Sequence, residues 1–220
     1  MHLQNPAFIF DMDGTLIENM TFHIQAWQRF LSEMGIDMTE AEIHQQNHGT
    51  IEEIIRRIFG SHLSDAEVAV LGERKESLYR TLYHPHLQPI KGLIPFLQAA
   101  QAMGVPMAIG TSAGQQNIDF VLEGLNIAAY FMVCVGGDDV AYGKPHPETF
   151  LTAAQKLGVT SERCIVFEDT VSGVEAAQNA GMVAIALTTT SSASVFENLP
   201  NVEKIVQDYS CLHPASFLHE

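Results

Sequence analysis

The sequence predicts an α/β protein in which a parallel sheet carries helices on both faces and an all-helical segment follows the first strand. Three observations support this prediction. From about Gly92 onward, strand-like and helix-like segments alternate, as they do in βαβ units. The predicted strands are continuous apolar runs, which is typical of a sheet covered on both faces. Residues 15–88, in contrast, show helical patterns and no convincing strand.

The elements of the sheet domain follow in order along the chain. Ala7–Phe10 is a short apolar run that predicts a buried strand, and Gly14 interrupts the extended backbone soon after it. The later strands are predicted at 105–110, 131–135, 164–167 and 183–187, and the helices between them at 92–103, 115–124, 147–157 and 171–180. Glycines follow three of these helices, as expected at helix ends: Gly104, Gly158 and Gly181.

The segment after the first strand contains three amphipathic patterns. Phe22, Trp27, Phe30, Leu31 and Met34 form the first apolar face, and Ile51, Ile54, Ile55 and Ile58 form the second. A third helix is predicted from about Asp65 to Tyr83. We therefore predict a Rossmann-like core made of residues 1–15 and 89–220, and a helical cap domain of residues 16–88 that acts as a lid over an active site.

Composition and charge exclude several classes of partner. The 220-residue chain is 46% hydrophobic and carries 11 Lys and Arg against 26 Asp and Glu, a net charge of −15. This charge argues against nucleic acid or an anionic membrane as partner. The three cysteines, Cys134, Cys164 and Cys211, are odd in number and lack metal-ligand spacing, which favours free thiols in a reducing compartment. With no signal peptide or membrane-spanning run in view, we expect a cytoplasmic protein.

Two carboxylates follow the first predicted strand. Asp11 and Asp13 point to the same side of an extended backbone, just past the carboxyl end of the strand, where parallel sheets bind ligands. Two such charges are costly together unless a cation or a shared proton relieves them. A calcium loop is excluded because Phe22 occupies the twelfth position, where that loop has a glutamate. An ordinary Asp-Gly turn remains the alternative at this point.

The other predicted strands also end in polar side chains. Thr111 and Ser112 follow one strand, and a hydroxyl beside small residues suits a phosphate oxygen, although a helix cap is the alternative. Lys144 lies in a stiff loop between Gly and Pro, where a solvated surface lysine is the alternative. Glu168 and Asp169 follow a buried strand, where unpaired carboxylates are expensive. With Asp11 and Asp13 they supply the oxygen ligands that Mg²⁺ prefers.

These residues carry a resemblance to a known family. Four segments resemble, in order, the four motifs of the haloacid dehalogenase superfamily: Asp11-Met-Asp-Gly-Thr-Leu, Thr111, Gly143-Lys144-Pro145, and Glu168-Asp169-Thr-x-x-Gly173-x-x-Ala-Ala-x-x-Ala-Gly181. The second aspartate, at 13, resembles the phosphotransferase branch rather than the dehalogenases. The helical insertion, which begins with the segment from Glu18 to Trp27, resembles the beta-phosphoglucomutase-like subgroup.

The resemblance implies a mechanism with defined roles. Asp11 would be the nucleophile that forms an aspartyl-phosphate, and Asp13 would protonate the leaving oxygen and then activate water. Mg²⁺ would be held by Asp11, Asp169 and the backbone carbonyl of Asp13, with Glu168 nearby. Thr111 and Lys144 would hold the oxygens of the transferring phosphoryl group, and Ser112 is a further candidate for phosphate binding.

The predicted cap departs from the mutase pattern. Where that pattern has Lys-Gly-x-x-Arg, this chain has His48-Gly-Thr-Ile-Glu52, and a glutamate would repel a second phosphate. Arg56 and Arg57 lie one turn further on and could substitute, but a solvent-facing role is expected for them. His23 and His48 are candidates to contact the leaving group of the substrate, although a packed histidine is the alternative.

We therefore expect a Mg²⁺-dependent phosphatase that hydrolyses a small phosphorylated metabolite, with sugar phosphates as the expected class. The partner would be a small phosphate ester, and we expect a monomer or a weak dimer. A phosphomutase of the beta-phosphoglucomutase type is the main alternative. A non-enzymatic phospho-ligand binder and a phosphonate-cleaving enzyme are weaker ones; the latter would need a cap lysine for a Schiff base, and Lys75 has no evident activating setting in the sequence.

Overall fold

The structure is a computed structural model that describes residues 6–218. Its sheet has six strands, namely β1 (Ala7–Phe10), β2 (Met107–Gly110), β3 (Val133–Val135), β4 (Cys164–Glu168), β5 (Val183–Leu187) and β6 (Val202–Val206). The strand order is β3-β2-β1-β4-β5-β6, and every neighbouring pair is parallel. The predicted parallel α/β fold is therefore confirmed.

Strand β1 lies between β2 and β4, so the residues that follow it have neighbours on both sides. Phe10 is in register with Ile109 of β2 and with Phe167 of β4. Asp11, Gly110 and Glu168 are consequently neighbours at the carboxyl edge of the sheet. This is the edge at which open parallel sheets bind ligands.

The described chain divides into two compact units. The first comprises the residues up to Glu18 and from Gln88 onward, and the second comprises Asn19–Leu87. Helices of the first unit are α5 (Leu93–Ala102), α6 (Gln115–Leu125), α7 (Glu148–Leu157) and α8 (Val171–Asn179). Those of the second unit are α1 (Met20–Glu33), α2 (Glu40–Gln46), α3 (Ile51–Phe59) and α4 (Asp65–Tyr83). The assignment of these units as catalytic core and cap stays a prediction.

Both faces of the sheet are covered, and β1 contributes to both because its alternate side chains point in opposite directions. Ile9 packs on one face in a buried cluster that includes Phe150 of α7 and Val174 of α8. Phe8 lies on the other face, where its ring is 5.7 Å from Phe96 of α5 and 5.8 Å from Phe217 (centroid distances). A strand buried on both faces needs the continuous apolar sequence that β1 has.

One strand and one α-helix of the described residues were absent from the sequence prediction. Strand β6 has the sequence Val-Glu-Lys-Ile-Val, and its charged pair interrupts the apolar run because it is a partly exposed edge strand. Helix α2 is only seven residues long and buries a single side chain, Ile43. Its capping box, formed by Thr39 and Glu42, is nevertheless a recognisable start signal.

The second unit has its own apolar cluster. Trp27, Phe30 and Leu31 of α1 pack with Ile54 and Ile55 of α3 in this cluster. Met34, assigned to the same face in the sequence prediction, lies just after α1 and is 41% exposed. In residues 6–218, no helix has the length and apolar character needed to cross a bilayer.

Candidate active site

The loop of residues 11–17, here the β1 loop, begins at the centre of the sheet. The backbone N–H of Asp11 donates to the Phe167 carbonyl at 2.9 Å, and the Asp11 side chain is almost fully buried. Gly14 has a φ of +78°, and a Cβ added there would lie 1.9 Å from Asp169 Oδ2. A larger residue at position 14 would therefore displace a carboxylate of the site, which explains the glycine physically.

Lys144 lies at the centre of the polar cluster. Its Nζ donates to Asp11 Oδ1 at 2.6 Å, to Glu168 Oε1 at 2.8 Å and to the Gly110 carbonyl at 3.1 Å. The ammonium also lies 4.6 Å from the centroid of the Phe150 ring. Since Lys144 is only 6% exposed, the surface-lysine alternative is wrong.

Glu168 is fixed by the protein through both of its carboxylate oxygens. Oε1 accepts from Lys144, while Oε2 accepts from the backbone N–H groups of Asp169 and Thr170 and from the Thr170 hydroxyl, at 2.8–2.9 Å. Gly173 allows this arrangement, because a Cβ there would lie 1.8 Å from Oε1. The glycine of the fourth motif thus has a direct steric role.

Asp169 completes a group of carboxylates that fits a divalent cation. One oxygen from each of Asp11, Glu168 and Asp169 lies within 4.8 Å of the others. Asp169 is fully buried, and its Oδ2 has no hydrogen-bond partner of normal geometry among residues 6–218. A buried carboxylate oxygen in that state is expensive unless a cation binds it. The chemistry of this donor set fits a hard cation that prefers oxygen ligands.

The pKa values reflect this crowding of negative charge. Burial raises the pKa of Asp11 to about 7, repulsion from Glu168 and Asp13 adds to the rise, and Lys144 opposes it. Burial, followed by Glu168 and Asp11, raises the pKa of Asp169 well above its ordinary value, against the effect of the Thr190 hydroxyl. Burial alone would lower the pKa of Lys144, but the charges and hydrogen bonds of Asp11 and Glu168 raise it further than burial lowers it. The net pKa lies above the ordinary value, and the ammonium stays charged.

The other predicted site residues of the first unit also lie beyond the carboxyl ends of strands, Asp13 after β1 and Thr111 and Ser112 after β2. Asp13 is partly buried in the β1 loop, close enough to Asp11 to raise its pKa. Thr111 is buried after β2, where its N–H donates to the Val135 carbonyl and its hydroxyl accepts from the Ala113 N–H. Ser112 is partly buried beside it. Their contacts with a phosphate stay predictions.

His23 and His48 belong to the second unit. His23 is buried in α1, stacked on Tyr79, and its Nδ1 lies 2.8 Å from the ammonium of Lys75. Burial and then Arg57 lower the pKa of His48, which keeps that imidazole neutral at pH 7. Lys75 is almost fully buried against His23 and Glu76, a setting that the sequence did not reveal. A role of either histidine toward a substrate stays a prediction.

The chain matches a known family over most of its length, and the match spans both units. Residues 8–187 match the family described as haloacid dehalogenase-like hydrolase, and they include every motif residue described above. The chain belongs to this family. As a haloacid dehalogenase-like hydrolase, it is an enzyme, and its polar cluster at the edge of the sheet is the candidate active site.

Individual relatives agree with this assignment. The hydrolase is 30% identical over 185 residues to the fructose-1-phosphate phosphatase of Escherichia coli, covering 84% of this chain and 97% of the relative. A solved structure of a haloacid dehalogenase hydrolase from Entamoeba histolytica has a TM-score of 0.87 and 27% identity, with 97% of both chains covered. A beta-phosphoglucomutase structure from Clostridium difficile, with a TM-score of 0.78, 24% identity and coverage of 92% and 91%, shares the fold.

Two threonines at the site of this hydrolase lie within the quoted motifs, but no role was predicted for them from the sequence. The Thr170 hydroxyl accepts from the Gly173 N–H at 3.1 Å and so caps α8 while it holds Glu168. A threonine just before a helix is a recognisable cap signal, so this residue could have been found. The Thr15 hydroxyl donates to Asp169 Oδ1 at 3.4 Å, and it lies within the quoted first motif.

Proposed function

We propose that the protein is a Mg²⁺-dependent phosphatase that hydrolyses a small phosphorylated metabolite, in particular a sugar phosphate, through an aspartyl-phosphate on Asp11. One observation carries the proposal. The Lys144 ammonium binds Asp11 and Glu168 at 2.6 Å and 2.8 Å, and Asp169 lies beside them, although these residues are up to 158 positions apart in the chain. A purely structural core has no need of three buried carboxylates at a ligand-binding edge.

The metal would be held by the carboxylates of Asp11 and Asp169 and the backbone carbonyl of Asp13. Glu168 would lie nearby, although both of its oxygens already accept hydrogen bonds. When bound, Mg²⁺ would supply positive charge that screens the repulsion between the Asp11 carboxylate and a phosphate dianion. The buried Asp169 Oδ2 supports this assignment because it has no normal hydrogen bond among the described residues.

The two aspartates of the β1 loop have different roles in the proposed reaction: Asp11 is the nucleophile, and Asp13 is the general acid and then the general base. An Asp11 oxygen attacks phosphorus, the bond between phosphorus and the ester oxygen breaks, and Asp13 gives its proton to the leaving alcohol. Water then attacks phosphorus, Asp13 takes a proton from that water, and the bond to Asp11 breaks. Inorganic phosphate leaves, and both carboxyl groups return to their starting states.

Lys144 contributes to this reaction in two ways. Its charge favours the ionised form of Asp11, which the attack requires, against the effect of burial. It also supplies local positive charge for the phosphoryl oxygens in a protein whose net charge is −15. The Thr111 hydroxyl and Ser112, at the end of the neighbouring strand β2, would bind the remaining oxygens.

Hydrolysis is favoured over phosphoryl transfer between two positions of one sugar. Within the second unit, Arg56 donates to the Leu63 carbonyl at 2.7 Å and pairs with Asp65, and Arg57 donates to the His48 carbonyl at 3.1 Å. Both arginines are thus engaged by their own unit rather than reserved for a second phosphate. The fructose-1-phosphate phosphatase relative supports sugar phosphates as the substrate class.

A phosphate-release panel tests the proposal. The purified protein is assayed on an aryl phosphate, sugar monophosphates, nucleotides and phosphoglycolate, with Mg²⁺ and with EDTA. We expect release from at least one sugar phosphate in Mg²⁺ and a fall of at least ~100-fold in EDTA. A coupled assay for conversion of a sugar 1-phosphate to its 6-phosphate identifies a mutase instead. No release from any member of the panel would contradict the proposal.

The raised carboxyl pKa values predict how stability depends on pH and metal. Without metal, Asp11 has a pKa of about 7 in the folded state and a value near 3.8 when unfolded. The folded state therefore binds more protons between these values, and stability falls as pH rises from about 4 to about 7, by up to ~1.4 kcal/mol per unit. Since Mg²⁺ compensates the ionised carboxylates, it should raise the melting temperature more at pH 8 than at pH 5.

Thermal denaturation in EDTA and in Mg²⁺ across this pH range provides the measurement. Asp11→Asn serves as the control, because it removes one of the titrating carboxyl groups and should flatten the profile. An equal gain from Mg²⁺ at pH 5 and pH 8 would be inconsistent with a metal site built on these carboxylates.

A further inference from the structure

The β1 loop carries both proposed catalytic aspartates, and its backbone is closed on itself. The Leu16 N–H donates to the Met12 carbonyl at 2.8 Å, and the Gly14 N–H donates to the Ile17 carbonyl at 2.7 Å. These bonds leave three successive carbonyls, those of residues 14, 15 and 16, available to donors outside the loop.

Each of these three carbonyls accepts a hydrogen bond from a different distant segment. The Thr189 hydroxyl, just after β5, donates to the Gly14 carbonyl. The Tyr209 phenol donates to the Thr15 carbonyl at 3.1 Å, and the Ile90 N–H donates to the Leu16 carbonyl at 2.9 Å. Three consecutive peptide groups are thus fixed by three segments that are remote in sequence.

The Tyr209 donor is held rigidly. Its side chain is 1% exposed, and its ring lies 5.4 Å from Phe96, 5.9 Å from Phe167 and 6.4 Å from Phe10 (centroid distances). Burial, followed by the charges of Asp11 and Asp169, raises the pKa of the phenol well above its ordinary value. The group therefore stays a protonated donor, and its position follows from the packing of the sheet.

We propose that Thr189 and Tyr209 are positioning residues, whose hydroxyls hold the Gly14 and Thr15 carbonyls and thereby fix the orientation of Asp13 relative to Asp11. This inference rests on the proposed phosphatase function for its catalytic consequence. Asp13 is followed directly by Gly14, whose backbone is flexible by nature, so the loop needs external anchors. Misplacement of a catalytic group by about 1 Å can cost ~100-fold in rate.

Single-atom changes test the proposal. Tyr209→Phe and Thr189→Val each remove one donor, and Thr188→Val is the matched control, since its hydroxyl lies in the same segment and faces the Val206 carbonyl at 3.4 Å. We expect kcat on an aryl phosphate to fall ~10-fold or more in each test variant, with KM within about twofold. Thr188→Val should keep kcat within about twofold of the native value. Thr189→Ser, which keeps the hydroxyl that Thr189→Val removes, should also have a near-native kcat.

Hydrogen exchange separates this inference from the proposed function. Amides of residues 14–17 should exchange at least ~5-fold faster in Tyr209→Phe than in the native protein, and Thr188→Val should leave them unchanged. Unchanged loop exchange, or an unchanged kcat in an active enzyme, would overturn the positioning role. If the native protein releases no phosphate at all, the proposed function fails, and loop exchange alone decides whether the hydroxyls hold the loop. Should Tyr209→Phe not fold, the Thr189 pair gives the same comparison.

Discussion

Asp11→Asn is expected to abolish turnover while leaving the fold intact. Asparagine has the same shape as aspartate but cannot form the phosphorylated intermediate, so kcat should fall by at least ~10³-fold. The substitution also removes a buried carboxyl whose pKa is raised to about 7, and it leaves Lys144 paired with Glu168. We therefore expect the melting temperature in EDTA at pH 5, where Asp11 is still protonated in the folded state, to stay within a few degrees of the native value.

The measurement is single-turnover phosphate release together with mass spectrometry of the quenched enzyme. The native protein should gain one phosphoryl group on the peptide that contains Asp11, and the variant should not. Glu18→Gln, at an exposed position of the same connecting segment, is a suitable control and should retain normal turnover. Residual activity above about a tenth of the native rate would exclude Asp11 as the nucleophile.

Lys144→Met should have the largest combined effect on stability and activity. It removes the cation that is hydrogen-bonded to both Asp11 and Glu168 and leaves these carboxylates buried. Breaking a buried ion pair from one side costs about 3–5 kcal/mol, which corresponds to a fall in melting temperature of roughly 6–20 °C for a chain of this size. The rate should fall by at least ~100-fold because the phosphoryl oxygens lose a cationic ligand.

The pH and metal dependence of this variant provides a second criterion. Without the ammonium, the pKa values of the buried carboxyls rise further, so the loss of stability in EDTA should be larger at pH 8 than at pH 5. Mg²⁺ should restore part of the stability that Lys144→Met loses at pH 8. Lys156→Met is the control, since Lys156 is a partly exposed lysine of α7 that pairs with Asp139 at 3.5 Å, and a shift below about 2 °C is expected. Equal stability of Lys144→Met and Lys156→Met would rule out a structural role for the buried cation.

The sequence was sufficient to predict the sheet because its inner strands are continuous apolar runs. Strand β6 escaped prediction because Glu203 and Lys204 interrupt its apolar pattern, as an edge strand permits. Helix α2 escaped because a seven-residue helix with one buried side chain has almost no periodicity. Both misses arise where burial, the physical origin of the pattern, is weak.

The carboxylates of the site could be predicted because Asp11, Glu168 and Asp169 stand at the carboxyl ends of apolar strands, whereas Lys144 lies in a loop nine positions after β3. Parallel strands end at one edge, so their next residues must be neighbours. The support of the site was not predictable in this way. Thr189 and Tyr209 reach the β1 loop across 175 and 194 residues, and nothing local to either residue marks that contact. Lys75 is similar, since its burial beside His23 depends on how α1 and α4 pack.

The position of β1 in the sheet also has a consequence for synthesis. A ribosome makes β1 well before its partner β4, to which Ala7 and Cys164 contribute the first register pair. At ~5–20 residues per second, the 156 residues between Ala7 and Cys164 take roughly 8–30 s. Until β2 has been made, both edges of the Phe-Ile-Phe strand are open, and afterwards the edge that β4 will cover stays open; apolar side chains lie on both of its faces. A nascent chain stalled before Cys164 is therefore expected to be a client of chaperones and prone to aggregation, whatever the stability of the finished enzyme.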